Sequence, residues 1–190
     1  MAQRSTTIIA SKSHKADVTG TDISFTATSG IYKITSTSTA LNNFAVRDLI
    51  TVSGTTNNNS TFTVKTVTDA NELIVEEIVT SETADGSTTT TLDHTGFVSA
   101  KEKGDGYYSQ PDGVHTVAYK VNTTLTGSIK MQGSLATDPT EDDYFDIGST
   151  SPTPDQSTTI FSFNFTGNFV WVRAVINYTD GTISSIMLNH

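Results

Sequence analysis

Threonine sets the terms on which this chain can fold. Of its 190 residues 36 are threonine and 21 are serine. Threonine branches at Cβ, which restricts its side chain inside a helix, while its methyl group suits a pleated, half-buried surface. Charged residues are only 16% of the chain, against about 25% in ordinary soluble domains, so the surface must be largely hydroxyl and amide. An all-α fold is excluded on this ground. Disorder is excluded by the 35% of hydrophobic residues and their regularly spaced aromatics, which can bury a core. The length suits one ordinary domain or two small ones.

Charge and cysteine content remove further classes. With 11 basic and 20 acidic side chains the formal charge is −9, and neither half of the chain is basic. Nucleic acid is therefore not an expected partner. The absence of cysteine rules out a disulfide framework, thiol catalysis and thiolate metal sites. Ile8-Ile9 is too short an apolar core for a signal peptide, and no apolar run reaches the length of a membrane span. The expectation is a soluble protein, with no membrane partner, that reaches its working location by assembly or release.

Period-2 alternation then places the strands. In the first part they are expected at Thr6 to Ile9, Asp22 to Ala27, Ile31 to Thr35, Asp48 to Val52, Thr61 to Val67, Glu72 to Val79 and Ser87 to Leu92. The clearest pair is 48–52 with 61–67, joined by Gly54 and Asn57-Asn58-Asn59 as a hairpin requires. Between 99 and 113 the composition changes to Lys101-Glu102-Lys103-Gly104-Asp105-Gly106, and Gln110-Pro111-Asp112-Gly113 signals a turn. In the last part Val117, Tyr119 and Val121 share one face, as do Ile129, Met131 and Leu135, and Phe161, Phe163 and Phe165. The run 169–176 is apolar on both faces and reads as a central strand. Gly181 reads as the turn of a type I′ hairpin into Ile183 to Leu188. The expected fold is all-β, in two small antiparallel domains. Residues 1–98 would form an N-terminal barrel or sandwich, 99–113 a flexible linker, and 114–190 a C-terminal jelly-roll-like β-sandwich with the three phenylalanines in its core.

Chemistry is sparse. His14, His94, His115 and His190 share no ligand spacing, and His115 at the head of a strand reads as a structural residue. The acidic run supplies the only calcium candidates, Asp138, Glu141, Asp142, Asp143 and Asp146. It lacks the glycine of an EF-hand loop, and the run reads first as a solvated connecting loop, with a calcium site and then an acidic docking patch as the alternatives. No nucleophile elbow, P-loop or dinucleotide fingerprint occurs, so no catalytic residue and no cofactor is assigned. The five Asn-x-Ser/Thr triplets, from Asn58, Asn59, Asn122, Asn164 and Asn177, follow from composition. Tyr107-Tyr108, Tyr144-Phe145 and Trp171 would suit a sugar-stacking platform, although Trp171 sits mid-strand and reads as core. Tyr107 and Tyr108 suit an interdomain or intersubunit contact as well.

Two stretches carry a resemblance. Asp48-Leu49-Ile50-Thr51-Val52-Ser53-Gly54, the Asn-rich turn, Phe62-Thr63-Val64 and Asn71-Glu72-Leu73-Ile74-Val75-Glu76-Glu77 resemble small β modules of tailed-bacteriophage virion proteins. Gly127 to Leu135, Asp138 to Ile147 and Phe165 to Ala174 are similar to sandwich domains in phage virion proteins. The likeness is one of pattern and transfers no functional residue. It implies a non-enzymatic virion component, in the capsid decoration, neck, tail or baseplate, whose partners are major capsid, neck or tail proteins and further copies of itself. A carbohydrate-binding or host-surface adhesin module of a phage appendage is the alternative. Tyr107, Tyr108 and Asn164 are the expected interface residues.

Overall fold

The structure is a computed structural model, covering residues 5–108, 113–122, 125–151 and 159–189 as described residues. The expected turn residues Pro111 and Asp112, and His190, lie outside the described residues. In chain order the strands are β1 (Ser5–Ile9), β2 (Lys12–Ser13), β3 (Val18–Gly20), β4 (Ser24–Thr28), β5 (Ile31–Thr35), β6 (Asp48–Ser53), β7 (Thr61–Val67) and β8 (Glu72–Val75). They continue with β9 (Thr90–Val98), β10 (Glu102–Lys103), β11 (Val114–Val121), β12 (Thr126–Ser134), β13 (Phe145–Asp146), β14 (Ile160–Thr166), β15 (Trp171–Asp180) and β16 (Thr182–Asn189). The only helices among the described residues are three short 3-10 turns, at Asp105–Tyr108, Glu141–Asp143 and Gly148–Thr150. The fold is all-β and antiparallel, and no ladder closes into a barrel.

The chain divides into two compact units, and the division is not the expected one. Lys15–Phe97 forms an inserted unit, while Met1–His14 and Val98–His190 together form a discontinuous unit. The first module therefore begins at Lys15, not at residue 1. The reason is β1, which pairs with β16 from Ser5↔Asn189 to Ile9↔Ile186 and buries Ile8 and Ile9. Alternation identifies such a strand but not its partner.

In the inserted unit β9 pairs with β3 and β6, and the ladder continues through β7, β8 and β5 to β4. Its core includes Phe25, Ile34, Leu41, Phe62 and Leu92. The β6–β7 hairpin forms with Ile50 opposite Phe62. Gly54 closes it at φ +80°, and a Cβ there would lie 2.2 Å from the Thr89 carbonyl oxygen, so no other residue fits. β8 ends at Val75, before the expected Val79, because the Glu77 carboxylate turns back to accept the Thr63 N–H and hydroxyl. β9 begins only at Thr90, because Asp85 holds Ser87 and Thr88 in a turn through their N–H groups.

In the discontinuous unit two ladders bury opposing faces as a sandwich. One runs β1-β16-β11-β14, with β2 also on β16; the other runs β13-β12-β15, with β10 also on β15. Val117, Tyr119, Ile183, Ile186 and Leu188 of the first and Ile129, Met131, Val172, Ala174 and Ile176 of the second are buried. Burial raises the Tyr119 hydroxyl pKa well above its ordinary value, and that hydroxyl donates to the Thr150 carbonyl at 2.8 Å. Residues 172–176 of β15 are buried on both faces, as the sequence suggested, while Asn177, Thr179 and Asp180 at its end are exposed. Three expectations fail here. β12 ends at Ser134, so Leu135, expected on its apolar face, lies beyond the strand and is exposed. Gly181 adopts φ +99° but joins no hairpin, because β15 and β16 belong to different ladders and the edges of β16 are taken by β1 and β11. In the phenylalanine strand only Phe165 is fully buried, while Phe161 and Phe163 are half-buried, because β14 is the outermost strand of its ladder.

Candidate interaction surface

The described part of the expected linker is built structure within the discontinuous unit. β10 pairs with the start of β15, setting Lys103 opposite Trp171 and Glu102 opposite Val172. The Gly104 N–H donates to the Val170 carbonyl at 3.0 Å and the Gly106 N–H to the Phe169 carbonyl at 2.9 Å. A Cβ on Gly104 would sit 2.4 Å from the Phe169 oxygen, and one on Gly106 2.3 Å from the Asn168 oxygen. These glycines permit close packing and do not confer flexibility. The segment is tied from below by His115, which is fully buried, lies parallel to Phe165 at 4.9 Å, and has a hydrogen-bond partner on each ring nitrogen: Gly113 and Asp105.

This frame carries an aromatic and basic surface. Tyr107 meets Trp171 edge-on at 5.2 Å, and Tyr108 meets Tyr107 edge-on at 5.2 Å. The Lys103 ammonium lies 4.1 Å from the centre of the Tyr107 ring, and the Lys101 ammonium 4.6 Å from that of Trp171. Tyr107 and Tyr108 remain 43% and 45% exposed. Trp171, read from the sequence as core, is half-buried, and its indole N–H donates to the Thr137 carbonyl at 3.0 Å. Beside it the Arg173 guanidinium, 7% exposed, grips both Glu141 oxygens at 2.9 and 2.7 Å, donates to Gln132 and stacks 3.6 Å over Tyr144. The rings and cations are thus held in place before any partner arrives.

Of the five calcium candidates, Asp142 is exposed on the Glu141–Asp143 turn and the other four are dispersed among separate partners. Glu141 serves Arg173, Asp146 accepts from Lys130 and Gln132, Asp143 accepts the Thr140 N–H and hydroxyl, and Asp138 pairs with Lys101. Those bonds hold the Asp143 and Asp146 carboxyls below their ordinary pKa values. Among the described residues no three acidic or histidine side chains converge as a metal site would need. Asn164, the third expected interface residue, is exposed on β14 and accepts the Thr116 hydroxyl at 2.8 Å, apart from the tyrosines.

Sequence reading missed the polar clusters of the inserted unit. Asp48, 1% exposed, accepts from Lys15 Nζ at 2.5 Å and from the Ala45 N–H, with His94 Nε2 at 3.7 Å, while His94 Nδ1 accepts the Lys15 N–H. A signal was available: Asp48 shares a strand face with Ile50 and Val52, and His94 shares one with Leu92. Ionisable groups on a core face need partners. A polar pocket of about 160 Å³, lined in part by Ile23, Gly54, Glu82, Asp85 and Thr88, also lies in this unit. Its acids are internally engaged, Glu82 by Thr56, Asn57 and Asn58, and Asp85 by Ser87 and Thr88. No protein-family model and no curated protein matches this sequence.

Proposed function

We propose that the chain is a non-enzymatic structural component of a tailed-bacteriophage virion, in its capsid decoration, neck, tail or baseplate, acting by protein–protein assembly. The observation that carries the reading is the ordered surface of Tyr107, Tyr108, Trp171, Lys101 and Lys103. Exposed aromatic rings locked by cations and by each other lose little entropy on docking, and aromatic anchors dominate protein interfaces. The resemblance of the two β modules to virion proteins supplies the setting. Many symmetric copies on a particle would multiply a weak contact.

The same rings favour one other reading, an adhesin that stacks a sugar. Each of Tyr107 and Trp171 already has a lysine over a ring face, which leaves less open π surface than a stacking platform uses, and so supports the assembly reading over it. The test is quantitative mass spectrometry and antibody labelling of purified particles of the phage that encodes the chain. A fixed copy number at one position is expected. Recovery of the protein from the lysate but never from particles would overturn the reading, and specific glycan-array binding lost in Tyr107→Ala would favour the adhesin.

A further inference from the structure

The outer edge of β14 pairs with no strand among the described residues, although the Gly148–Thr150 turn packs against β14; the edge of β12 that β13 leaves open carries Lys130. Natural sheets shield their edges with short strands, charges, prolines or bulges. β2, β10 and β13 are two residues long and each carries a charged side chain, and β1 has a register break between Thr7 and Ile9. β14 runs seven residues, Ile-Phe-Ser-Phe-Asn-Phe-Thr, with no charge, no proline and an unbroken register against β11.

The ladder also defines which groups are offered. Gly167 N donates to the Gly113 carbonyl and Val121 N to the Thr159 carbonyl, one pair at each end of the same register. Hydrogen-bonded pairs alternate along an antiparallel ladder, so Phe161, Phe163 and Phe165 turn their backbone groups toward β11. Ile160, Ser162, Asn164 and Thr166 turn theirs to the free edge. On the core side Phe161 and Phe163 are only half-buried, though buried Phe165 shares their face. A further strand would complete both the ladder and the cover over these rings.

We propose that a second copy of this chain supplies that strand, β14 pairing with β14 antiparallel about a twofold axis at Phe163. The sequence is self-complementary in this register. Ser162 meets Asn164 and Ile160 meets Thr166 through their outward backbone groups, while Phe163 faces Phe163 and Phe161 faces Phe165 on the core side. No like charges meet, and a closed isologous pair leaves neither β14 edge open. The two five-stranded sheets become one of ten. This rests on the assembly reading, of which it names one partner.

The test uses the full chain in sedimentation velocity over a concentration series, with amide hydrogen exchange read at single residues. A concentration-dependent dimer is expected, in which the Ser162 and Asn164 amides exchange at least about tenfold more slowly than in the monomer, while the Phe163 amide is protected in both. Ser162→Pro removes an outward N–H that β11 does not use, a position proline tolerates, and should abolish the dimer. Ser162→Lys, which leaves the backbone unchanged and brings like charges together across the axis, should do the same and stands in should the proline variant fail to fold. A dimer that persists in folded variants, or an oligomer whose Ser162 and Asn164 amides exchange freely, overturns the edge pairing, with copies meeting elsewhere and the assembly reading intact. A wild-type chain monomeric at millimolar concentration also overturns it, as does protection that appears only on adding another virion protein; particle incorporation then decides the assembly reading separately.

Discussion

The last strand of the inserted unit and the last strand of the discontinuous unit's β14 ladder meet the same problem differently. β4 ends its ladder, yet Phe25 exchanges both backbone hydrogen bonds with Glu82, at 2.8 and 2.9 Å, and the Ala27 N–H donates to the Ser81 hydroxyl. β14 ends its ladder with no strand on its outer side among the described residues, and only the short Gly148–Thr150 turn packs against it. The carboxylates divide less cleanly, since Glu72 and Glu76 of the inserted unit pair with Lys33 and Lys65 and Asp143 of the discontinuous unit staples Thr140. Asp22, Glu82, Asp85 and Asp48 of the inserted unit bind the chain's own N–H and hydroxyl groups and staple its loops. Glu141 and Asp146 of the discontinuous unit bind cations on a sheet face that also carries exposed rings. The clearest loop staples, at Asp22, Glu82 and Asp85, lie in the inserted unit, while the ordered aromatic and basic surface lies in the discontinuous unit.

The comparison is most easily broken at Asp48. Burial alone would raise its carboxyl pKa, but the nearby His94 ring and the hydrogen bonds from Lys15 and the Ala45 N–H hold it below the ordinary value. Asp48→Ala leaves Lys15 and the buried His94 without that acceptor and should cost about 3 to 5 kcal/mol in chemical unfolding. A loss under about 1 kcal/mol would show that the staple is dispensable. Because the folded pKa is depressed, the contribution of Asp48 is complete above its unfolded value of about 3.9 and disappears as pH falls through the lower folded value. Wild-type stability should therefore drop below about pH 4, and Asp48→Ala should flatten that drop.

In the discontinuous unit the sharpest comparison lies within β14. Phe165→Ala removes a buried ring stacked on His115 and should cost about 3 to 5 kcal/mol. Half-buried Phe163→Ala should cost distinctly less in the monomer, and Asn164→Ala under about 1 kcal/mol. Equal losses at Phe163 and Phe165 would mean that the edge is already covered. A smaller, local effect is expected at Asp22, which accepts from the N–H and hydroxyl groups of Thr37, Ser38 and Thr39 and has its pKa lowered chiefly by the Thr39 hydroxyl. Asp22→Asn should speed amide exchange at residues 37–39 and leave the global Tm nearly unchanged; a Tm loss matching that of Asp48→Ala would refute the division into local and global staples. The smallest effect on stability belongs to Tyr108→Ala, within about 0.5 kcal/mol. The chain has a single tryptophan, so Lys101→Ala should shift the emission of Trp171, and an unchanged spectrum would deny the cation contact.

The longer strands were legible in the sequence, while the short β2, β3, β10 and β13 were not, β10 lying in the expected linker. Ile31–Thr35 and Thr61–Val67 run as alternation places them, and β11, β12 and β14 differ only at their ends. The interaction surface was half legible: Tyr107 and Tyr108 could be named, but Trp171 read as core because its neighbours Val170 and Val172 are apolar. Arg173 and Glu141, 32 residues apart, carried no local mark of their pairing.

Local properties, those of one residue and its immediate neighbours, could be read directly from the chain. Cβ branching and the period-2 direction of side chains dictated an all-β protein and told which face of each strand turns inward. Partnership is different in kind and was settled only by packing. Backbone N–H and C=O groups are chemically alike at every position, so nothing in Thr6-Thr7-Ile8-Ile9 says that its neighbour is β16, and nothing in Asp180-Gly181 says that the chain crosses between ladders instead of turning back. Those choices depend on which apolar faces can be buried together at once, a property of the whole packed unit and of no segment within it.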